Sequence, residues 1–238
     1  MSKMGKNLKL GVGMMKYSLS PKLNFASIIL FFILGIIYEM VEYTSSMSSA
    51  RYKFSHIGAW MLAIPAMYAI QFLYGVCISG MIQSAATKKT IVIQATTVCK
   101  AVLEYIAFAI LVVSRYIGYK NAGNEGFLIG LLTFGVYSML LSIYSLVVYR
   151  YPVIGYAVIL PLVIVSFMIS TFISNVKPFM NSVSFVQRIP LMNVFGVYVI
   201  VGALIIMLDL LFFYILSKCM YKIPISEKSF KQMLERAK

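Results

Sequence analysis

The chain has very few ionisable residues, and nearly all of them lie outside its long apolar stretches. Only 12% of the 238 residues are charged, and only 7 are acidic. One carboxylate, Asp209, falls deep within an apolar stretch. Because a charge in the middle of a lipid bilayer is costly and usually functional, this scarcity predicts little machinery for ion coupling or for hydrolysis within a membrane.

The chain also lacks the usual residues of metal and catalytic sites. Its single histidine, His56, has no second histidine or paired aspartate, which is a poor basis for a zinc site or a protease. An odd number of cysteines near predicted cytoplasmic ends (Cys77, Cys99 and Cys219) argues against a disulfide framework. No phosphate-binding Gly-x-x-x-x-Gly-Lys-Ser/Thr loop occurs. We therefore expect no metal and no nucleotide cofactor on this chain.

Long apolar runs make up most of the sequence. Hydrophobic residues amount to 61% of the chain, which is too apolar for an ordinary soluble domain. A membrane-spanning helix needs about 20 residues. We predict an all-α membrane protein forming a single transmembrane domain over residues 1–238, with an arm (1–22), six spans (23–217) and a tail (218–238). The predicted spans are 24–44, 57–80, 98–117, 126–149, 152–174 and 191–217.

The net charge of +14 is distributed unevenly between the two sides of this topology. Most lysines and arginines fall in the N-terminal arm, the segment between spans 2 and 3, and the tail. By the positive-inside rule both termini are cytoplasmic, and an even number of spans agrees with this. The charge is thus expected to set the topology and attract anionic lipid rather than nucleic acid.

Three segments outside the spans have their own patterns. Residues 1–22 interleave apolar residues with lysines, which predicts an N-terminal interfacial helix. Three glycines oppose that helix, so a disordered basic arm is the alternative. Residues 174–190 are too apolar for a solvated loop and predict short outer helices, or else a loop packed on its own spans. The tail after Pro224 predicts a short basic surface helix.

The most organised inner segment follows span 2. Thr87 is suited to cap a helix that begins with Lys88, Lys89 and Thr90, and Ile91 follows in its first turn. This pattern predicts a short amphipathic helix over residues 85–97, lying across the cytoplasmic face. Such a helix forms a rigid feature that a soluble partner can grip.

This arrangement resembles the permease subunits of type-2 ATP-binding-cassette transporters, which are mostly exporters. Many of these have six spans, about this length, and a basic amphipathic arm before span 1. After span 2 they carry a pattern like Ser-x-Pro-x-Ser/Thr-Arg/Lys-Lys/Glu-x-Ile-x-x-x-Lys. The usual proline is replaced here by Ala85 or Ala86, and the lysine spacing is looser. The residues in similar places are Ser84, Thr87, Lys88, Lys89, Ile91 and Lys100.

The resemblance implies a mechanism divided between two polypeptides. The segment after span 2 would be the coupling helix, and Thr87, Lys88, Lys89, Thr90 and Ile91 would contact a separate ATPase subunit that binds ATP and magnesium. Family permeases pair into dimers. The implied function is export of amphipathic or hydrophobic cargo across a bacterial cell membrane, with an antimicrobial or toxin-like peptide favoured over lipid or drug. The chain itself would not be an enzyme.

Four acidic residues in or near the spans allow more than one interpretation. Asp209 is either a substrate or proton contact or an interhelical partner for a nearby Ser, Tyr or Arg. Glu104 forms the simplest i,i+4 pair with Lys100, or else lies near the ATPase contact. Glu39 and Glu42 mark an ordinary solvated end of span 1, or else meet a cationic substrate.

Two other classes of function compete with the exporter. One is the substrate-binding membrane module of a vitamin importer, which would need a polar pocket at the outer ends of its helices. The outer loops offer few convergent polar groups for such a pocket. The other is a non-transporting immunity or scaffold protein of the membrane. Co-purification with an ATPase separates the exporter from both.

Overall fold

The computed structural model of the protein describes residues 3–15, 21–45, 57–77, 88–151, 154–173 and 195–222. Within these ranges the chain is helical almost throughout and contains no strand, which confirms the all-α prediction for this part. The α-helices are α1 (Lys3–Met15), α2 (Pro21–Ser45), α3 (Ile57–Cys77), α4 (Thr96–Arg150), α5 (Leu160–Ile173) and α6 (Phe195–Tyr221). Two π-helical segments, Thr90–Ala95 and Gly155–Ile159, precede α4 and α5.

Helix α4 folds back on itself. The side chains of Glu104 and Ser138 are in hydrogen-bond contact, whereas 34 residues of straight helix would separate them by about 51 Å. The chain therefore reverses between two arms, which we call the first arm (Thr90–Ile117) and the second arm (Gly130–Val148). The predicted spans 98–117 and 126–149 lie side by side in this one element, whose helical assignment also covers the predicted loop 118–126.

Helix α6 packs against both arms, and its contacts give its direction. Lys100 on the first arm meets Asp209, while Phe108, two turns further along, lies beside Gly202. Because the residue numbers run in opposite senses, α6 is antiparallel to the first arm and parallel to the second. The core between these helices also receives α3, through residues such as Leu62 and Ala63.

Three of the described helical segments are long and apolar enough to cross a membrane: the first arm, the second arm and Gly196–Tyr221. They match the third, fourth and sixth predicted spans. The other three predicted spans correspond to shorter apolar helices, Phe25–Val41, Ile57–Gln71 and Gly155–Ser166. In the described part of the chain, three of the six predicted spans are therefore long enough to cross a membrane.

The surface of these helices is apolar, while charged side chains lie inside. Leu208 is 65% exposed and Met168 is 63% exposed. Lys100 and Glu104, by contrast, are each 1% exposed. A water-soluble protein has the opposite arrangement, so this distribution of side chains suits a lipid environment.

Nearby residues account for one π-helical segment and form additional hydrogen bonds in the other. Pro161 has no N–H to donate to the carbonyl of Ala157, and the wider turn occurs where that helical hydrogen bond is missing. In the other segment, threonine hydroxyls donate to carbonyl groups in the π-helical turn. Thr96 Oγ1 lies 3.1 Å from the carbonyl oxygen of Ile91, and Thr97 Oγ1 lies 2.7 Å from that of Ile93.

Helix α1 confirms that residues 3–15 of the N-terminal arm are helical, and it packs against the start of the first arm. Asn7 Nδ2 lies 3.4 Å from Gln94 Oε1. Gly11 permits the close approach, because a Cβ atom at this position would lie 2.4 Å from Cys99 Sγ. We call this end of the bundle the α1 end and the opposite end of the first arm the Arg115 end.

Candidate functional site

Three helical segments meet in a buried group of four polar side chains, which we call the central cluster. Lys100 and Glu104 belong to the first arm, Ser138 to the second arm and Asp209 to α6. None of the four residues is more than 4% exposed. Glu104, Ser138 and Asp209 each lie near the middle of their own candidate span, so the cluster lies midway along the bundle.

Lys100 links the two acidic residues of the central cluster. Its Nζ donates hydrogen bonds to Glu104 Oε1 and to Asp209 Oδ2, the latter at 2.6 Å. The same Nζ lies 5.4 Å from the centre of the Phe213 ring, in the range of a cation–π contact. The predicted i,i+4 pair between Lys100 and Glu104 is confirmed.

Ser138 contacts the same two carboxyl groups. Its Oγ lies in hydrogen-bond contact with Glu104 Oε1, and it lies 2.9 Å from Asp209 Oδ2. The other oxygens, Glu104 Oε2 and Asp209 Oδ1, are buried and have no hydrogen-bond partner in the part of the chain that the structure describes. One lysine faces two carboxyl groups, so the cluster carries a formal charge of −1 when all three groups are ionised.

The central cluster corrects the prediction that the spans contain almost no ionised groups. The sequence placed Lys100 at the base of span 3, because its charge fits the end of a span. In the structure the helix extends back to Lys88, so that Lys100 and Glu104 lie well inside it. Asp209 has the interhelical serine partner that was predicted, and a lysine that was not predicted.

A second buried ionic contact, which we call the end pair, joins Glu39 of α2 to Arg115 of the first arm. Arg115 Nη2 donates to Glu39 Oε1 at 2.8 Å, and Nε lies 2.7 Å from Oε2. Glu39 is 0% exposed, so the prediction that it marks a solvated end of span 1 is wrong. Ser114 Oγ, which donates to the carbonyl oxygen of Leu111 at 2.9 Å, also lies 3.4 Å from Glu39 Oε2.

Two glycines make room for the end pair. A Cβ atom at Gly58 of α3 would lie 2.6 Å from the Glu39 side chain and 2.8 Å from the Glu39 backbone nitrogen. A Cβ atom at Gly130 of the second arm would lie 3.0 Å from Cζ of Arg115. The pair is thus enclosed by α2, α3 and both arms. Gly130 therefore contributes to packing within the chain.

The five residues predicted to contact an ATPase have different environments. Lys89 is exposed, whereas Lys88 and Thr90 are half-buried. Ile91 is 3% exposed and packs in a core with residues of α1 and α6. Thr87 lies outside the described residues. From Lys88 onward the helix is continuous with the first arm, so the described part contains no separate helix over the predicted range 85–97.

The α1 end presents several exposed basic side chains close together in the fold. Lys6 and Lys9 lie on α1, and Lys89 lies at the start of the helix against which α1 packs. Lys88 Nζ lies 5.9 Å from the centre of the Tyr221 ring, which brings the end of α6 to the same place. We call Lys6, Lys9, Lys88 and Lys89 the basic end surface.

Several predicted features fall elsewhere. Cys99 is buried, Cys219 is exposed, and both are free thiols. His56, the predicted outer helices of 174–190 and the predicted tail helix lie outside the described residues, as does the side chain of Glu42. The central cluster and the end pair were not predicted as groups. The sequence signal for the end pair was an arginine and a glutamate near the ends of two apolar runs.

No protein-family model, curated protein or solved structure matches the chain. The resemblance to type-2 ATP-binding-cassette permeases accordingly stays a prediction. The part of the chain that the structure describes is helical and includes three helices of membrane-spanning length and apolarity.

Proposed function

We propose that the chain is the permease subunit of an ATP-driven exporter in a cell membrane. It would pair with a second permease copy and move amphipathic or hydrophobic cargo, a peptide being favoured. A separate ATPase subunit would bind ATP and magnesium and supply the energy. Both termini would lie on the cytoplasmic side together with the α1 end.

The observation that carries this proposal is the packing of α1 on the start of the first arm. Asn7 contacts Gln94, and Gly11 lies against Cys99. An N-terminal helix and the segment after the second apolar helix thereby form one structural unit. A force applied to such a unit passes directly into the first arm, because the helix is continuous from Lys88 to Ile117.

Within this proposal, the exposure of each side chain distinguishes which residues would meet the ATPase. Ile91 is buried against α1 and α6 and contributes to the core of the permease. The exposed Lys89 and the half-buried Lys88 remain the best candidates from the predicted motif, joined by Lys6 and Lys9. The partner's groove would then be acidic, because complementary charge steers association.

A second candidate function is a carrier driven by ion movement. The central cluster favours it, because ionisable groups in the middle of membrane helices often form ion pathways or proton relays. The importer module would need polar groups that are available to a substrate at the outer ends of its helices. It is less well supported, because the described charged groups at the Arg115 end, Glu39 and Arg115, bind each other. The predicted immunity or scaffold protein is separated from the exporter by the same experiment as the importer.

The proposal is tested by co-purification. The full chain is expressed together with the genes that neighbour its own and is purified in detergent, and the content of any co-purifying ATPase and the ATP turnover are measured. The double variant Lys88→Glu/Lys89→Glu should lose most of the bound ATPase. Lys88→Arg/Lys89→Arg is the matched control, because it keeps both positive charges at the same two positions, and it should retain the ATPase. Absence of any ATPase partner, or unchanged association and turnover in the double variant, overturns the proposal.

A further inference from the structure

If both carboxyl groups of the central cluster are ionised, Ser138 has fewer hydrogen atoms to donate than it has close contacts with these groups. A serine hydroxyl donates one hydrogen bond and accepts others. Ser138 Oγ contacts both Glu104 Oε1 and Asp209 Oδ2. An ionised carboxylate only accepts, so Ser138 can serve only one of two ionised groups. A hydrogen atom on one of the two carboxyl groups would give the second contact its own donor.

Lys100 does not supply the missing hydrogen. Its ammonium group has three hydrogen atoms, and it already donates to Glu104 Oε1 and Asp209 Oδ2. Its Nζ also faces the Phe213 ring. Lys100 therefore donates one hydrogen bond to each carboxyl group. It supplies no hydrogen atom for the contacts between Ser138 and these groups.

The balance of charges in the central cluster also indicates that one carboxyl group carries a proton. Lys100 balances one carboxylate, and the second would leave an uncompensated charge midway along three apolar helices. Such a charge is expensive in a low-dielectric environment. Two carboxyl groups that share a site cannot easily both ionise, and one of them then retains a proton.

We propose that the central cluster is a proton-binding site, in which Glu104 and Asp209 share one exchangeable proton beside Lys100. With this proton the cluster is neutral, and Ser138 donates to one carboxyl group while accepting from the other. The inference does not depend on the exporter proposal. An ATP-driven permease and an ion-driven carrier could each contain such a site.

A metal cation fits the cluster less well than a proton. The cation would have to bind beside the ammonium group of Lys100, which lies within hydrogen-bond distance of both carboxyl groups. Only two carboxyl oxygens, Glu104 Oε2 and Asp209 Oδ1, are without a partner in the described part of the chain. A proton needs one acceptor oxygen, whereas hard cations take about six or more oxygen ligands.

The test uses infrared spectroscopy of the full chain in lipid vesicles at neutral pH, in a buffer with choline as the only added cation. A protonated carboxyl group has a carbonyl stretching band distinct from that of a carboxylate. We expect the wild-type protein to show one such band, and this band should shift when H₂O is replaced by D₂O.

Two variants test whether the band comes from the carboxyl groups of the central cluster. In Glu104→Gln and in Asp209→Asn the remaining carboxylate pairs with Lys100 and needs no proton, so the band should disappear from both. Ser142→Ala is the matched control, because Ser142 lies one turn from Ser138 and donates to the backbone carbonyl of Ser138. This control should keep the band. If one carboxyl variant fails to fold, the other decides.

Three results would overturn the inference. The first is a wild-type spectrum with no exchangeable protonated-carboxyl band. The second is a band that persists in a folded Glu104→Gln or Asp209→Asn protein. The third is loss of the wild-type band when sodium replaces choline, which would assign the site to a metal cation instead.

Discussion

Two buried ionic sites in the described part of the chain differ in charge balance and in position. The end pair joins one arginine to one carboxylate through two short contacts, near the ends of the first arm and of α2. The central cluster joins one lysine to two carboxyl groups midway along the helices. The first is neutral when both of its groups are ionised, whereas the second has one more carboxyl group than it has cationic groups.

This difference suggests different roles for the two sites. The end pair is neutral and enclosed by helices, so it has no excess charge that would give it the capacity to bind another ion, and it holds α2 against the first arm. An unbalanced cluster with unpartnered oxygens keeps that capacity. Substitutions that remove one charge should therefore be costly at the end pair and well tolerated in the central cluster.

The largest effect is expected for Glu39→Gln. The substitution keeps the size of the side chain but leaves the guanidinium of Arg115 buried without its counter-charge. Breaking a buried ion pair in this way costs about 3–5 kcal/mol. Thermal unfolding in detergent should show a large drop in the melting temperature and a lower yield of monodisperse protein.

The control for this variant removes both charges. In Glu39→Gln/Arg115→Met no uncompensated charge remains, and uncharged side chains of similar volume often replace a buried pair at little cost. The double variant should thus be more stable than Glu39→Gln alone. A double variant less stable than the single one would show that the end pair does not behave as a charge-balanced unit.

The next largest effect is expected for Gly58→Ala, which changes the space around the end pair and leaves its charges intact. The new Cβ atom would lie 2.8 Å from the backbone nitrogen of Glu39. Since backbone cannot swing aside as a side chain can, α2 and α3 must move apart. Overpacking of this kind costs about 1–3 kcal/mol, measurable as a lower melting temperature.

Gly13→Ala is the matched control for this substitution. A Cβ atom at Gly13 of α1 meets nothing within 4 Å, and alanine favours the helix over glycine by about 0.5–1 kcal/mol. It should leave the melting temperature unchanged or raise it. If Gly58→Ala is as well tolerated as Gly13→Ala, the close packing around Glu39 is not important for stability.

The sequence predicted the helical class and the approximate positions of the apolar segments, because apolar runs of this length are typical of membrane-spanning helices. The Lys100–Glu104 pair was also predictable, because spacing along one helix is local information. The helix at residues 3–15 followed from the alternation of apolar and basic residues, although Gly11 weighed against it. In the structure the absence of a side chain at Gly11 allows α1 to pack closely against Cys99.

The arrangement of charges could not be predicted, because it depends on which helices are neighbours. Asp209 and Lys100 are 109 residues apart in the chain, and Glu39 and Arg115 are 76 apart. Nothing in the sequence specifies these pairings. The position of Lys100 was also misjudged, because a lysine next to an apolar run was expected to mark the start of the span.

A smaller effect is expected for Ser138→Ala, which removes the hydroxyl that contacts both carboxyl groups. Hydrogen bonds between membrane helices contribute about 0.6 kcal/mol on average and at most about 1.7 kcal/mol. We expect a loss within that range, seen as a modest fall in melting temperature. Ser142→Ala, whose hydroxyl bonds only within its own helix, should lose less. Equal losses would mean that Ser138 contributes nothing beyond an ordinary helix hydroxyl.

The smallest effect is expected for Asp209→Asn, which is the counterpart of Glu39→Gln in the central cluster. Removing the Asp209 carboxyl group leaves Lys100 paired with an ionised Glu104, so no uncompensated charge is created. The loss of stability should be at least about 2 kcal/mol smaller than for Glu39→Gln. Parallel thermal unfolding of both variants in the same detergent measures this difference. If Asp209→Asn proves as destabilising as Glu39→Gln, then Glu104 alone does not balance the charge of Lys100. The contrast between a balanced and an unbalanced site would then be wrong.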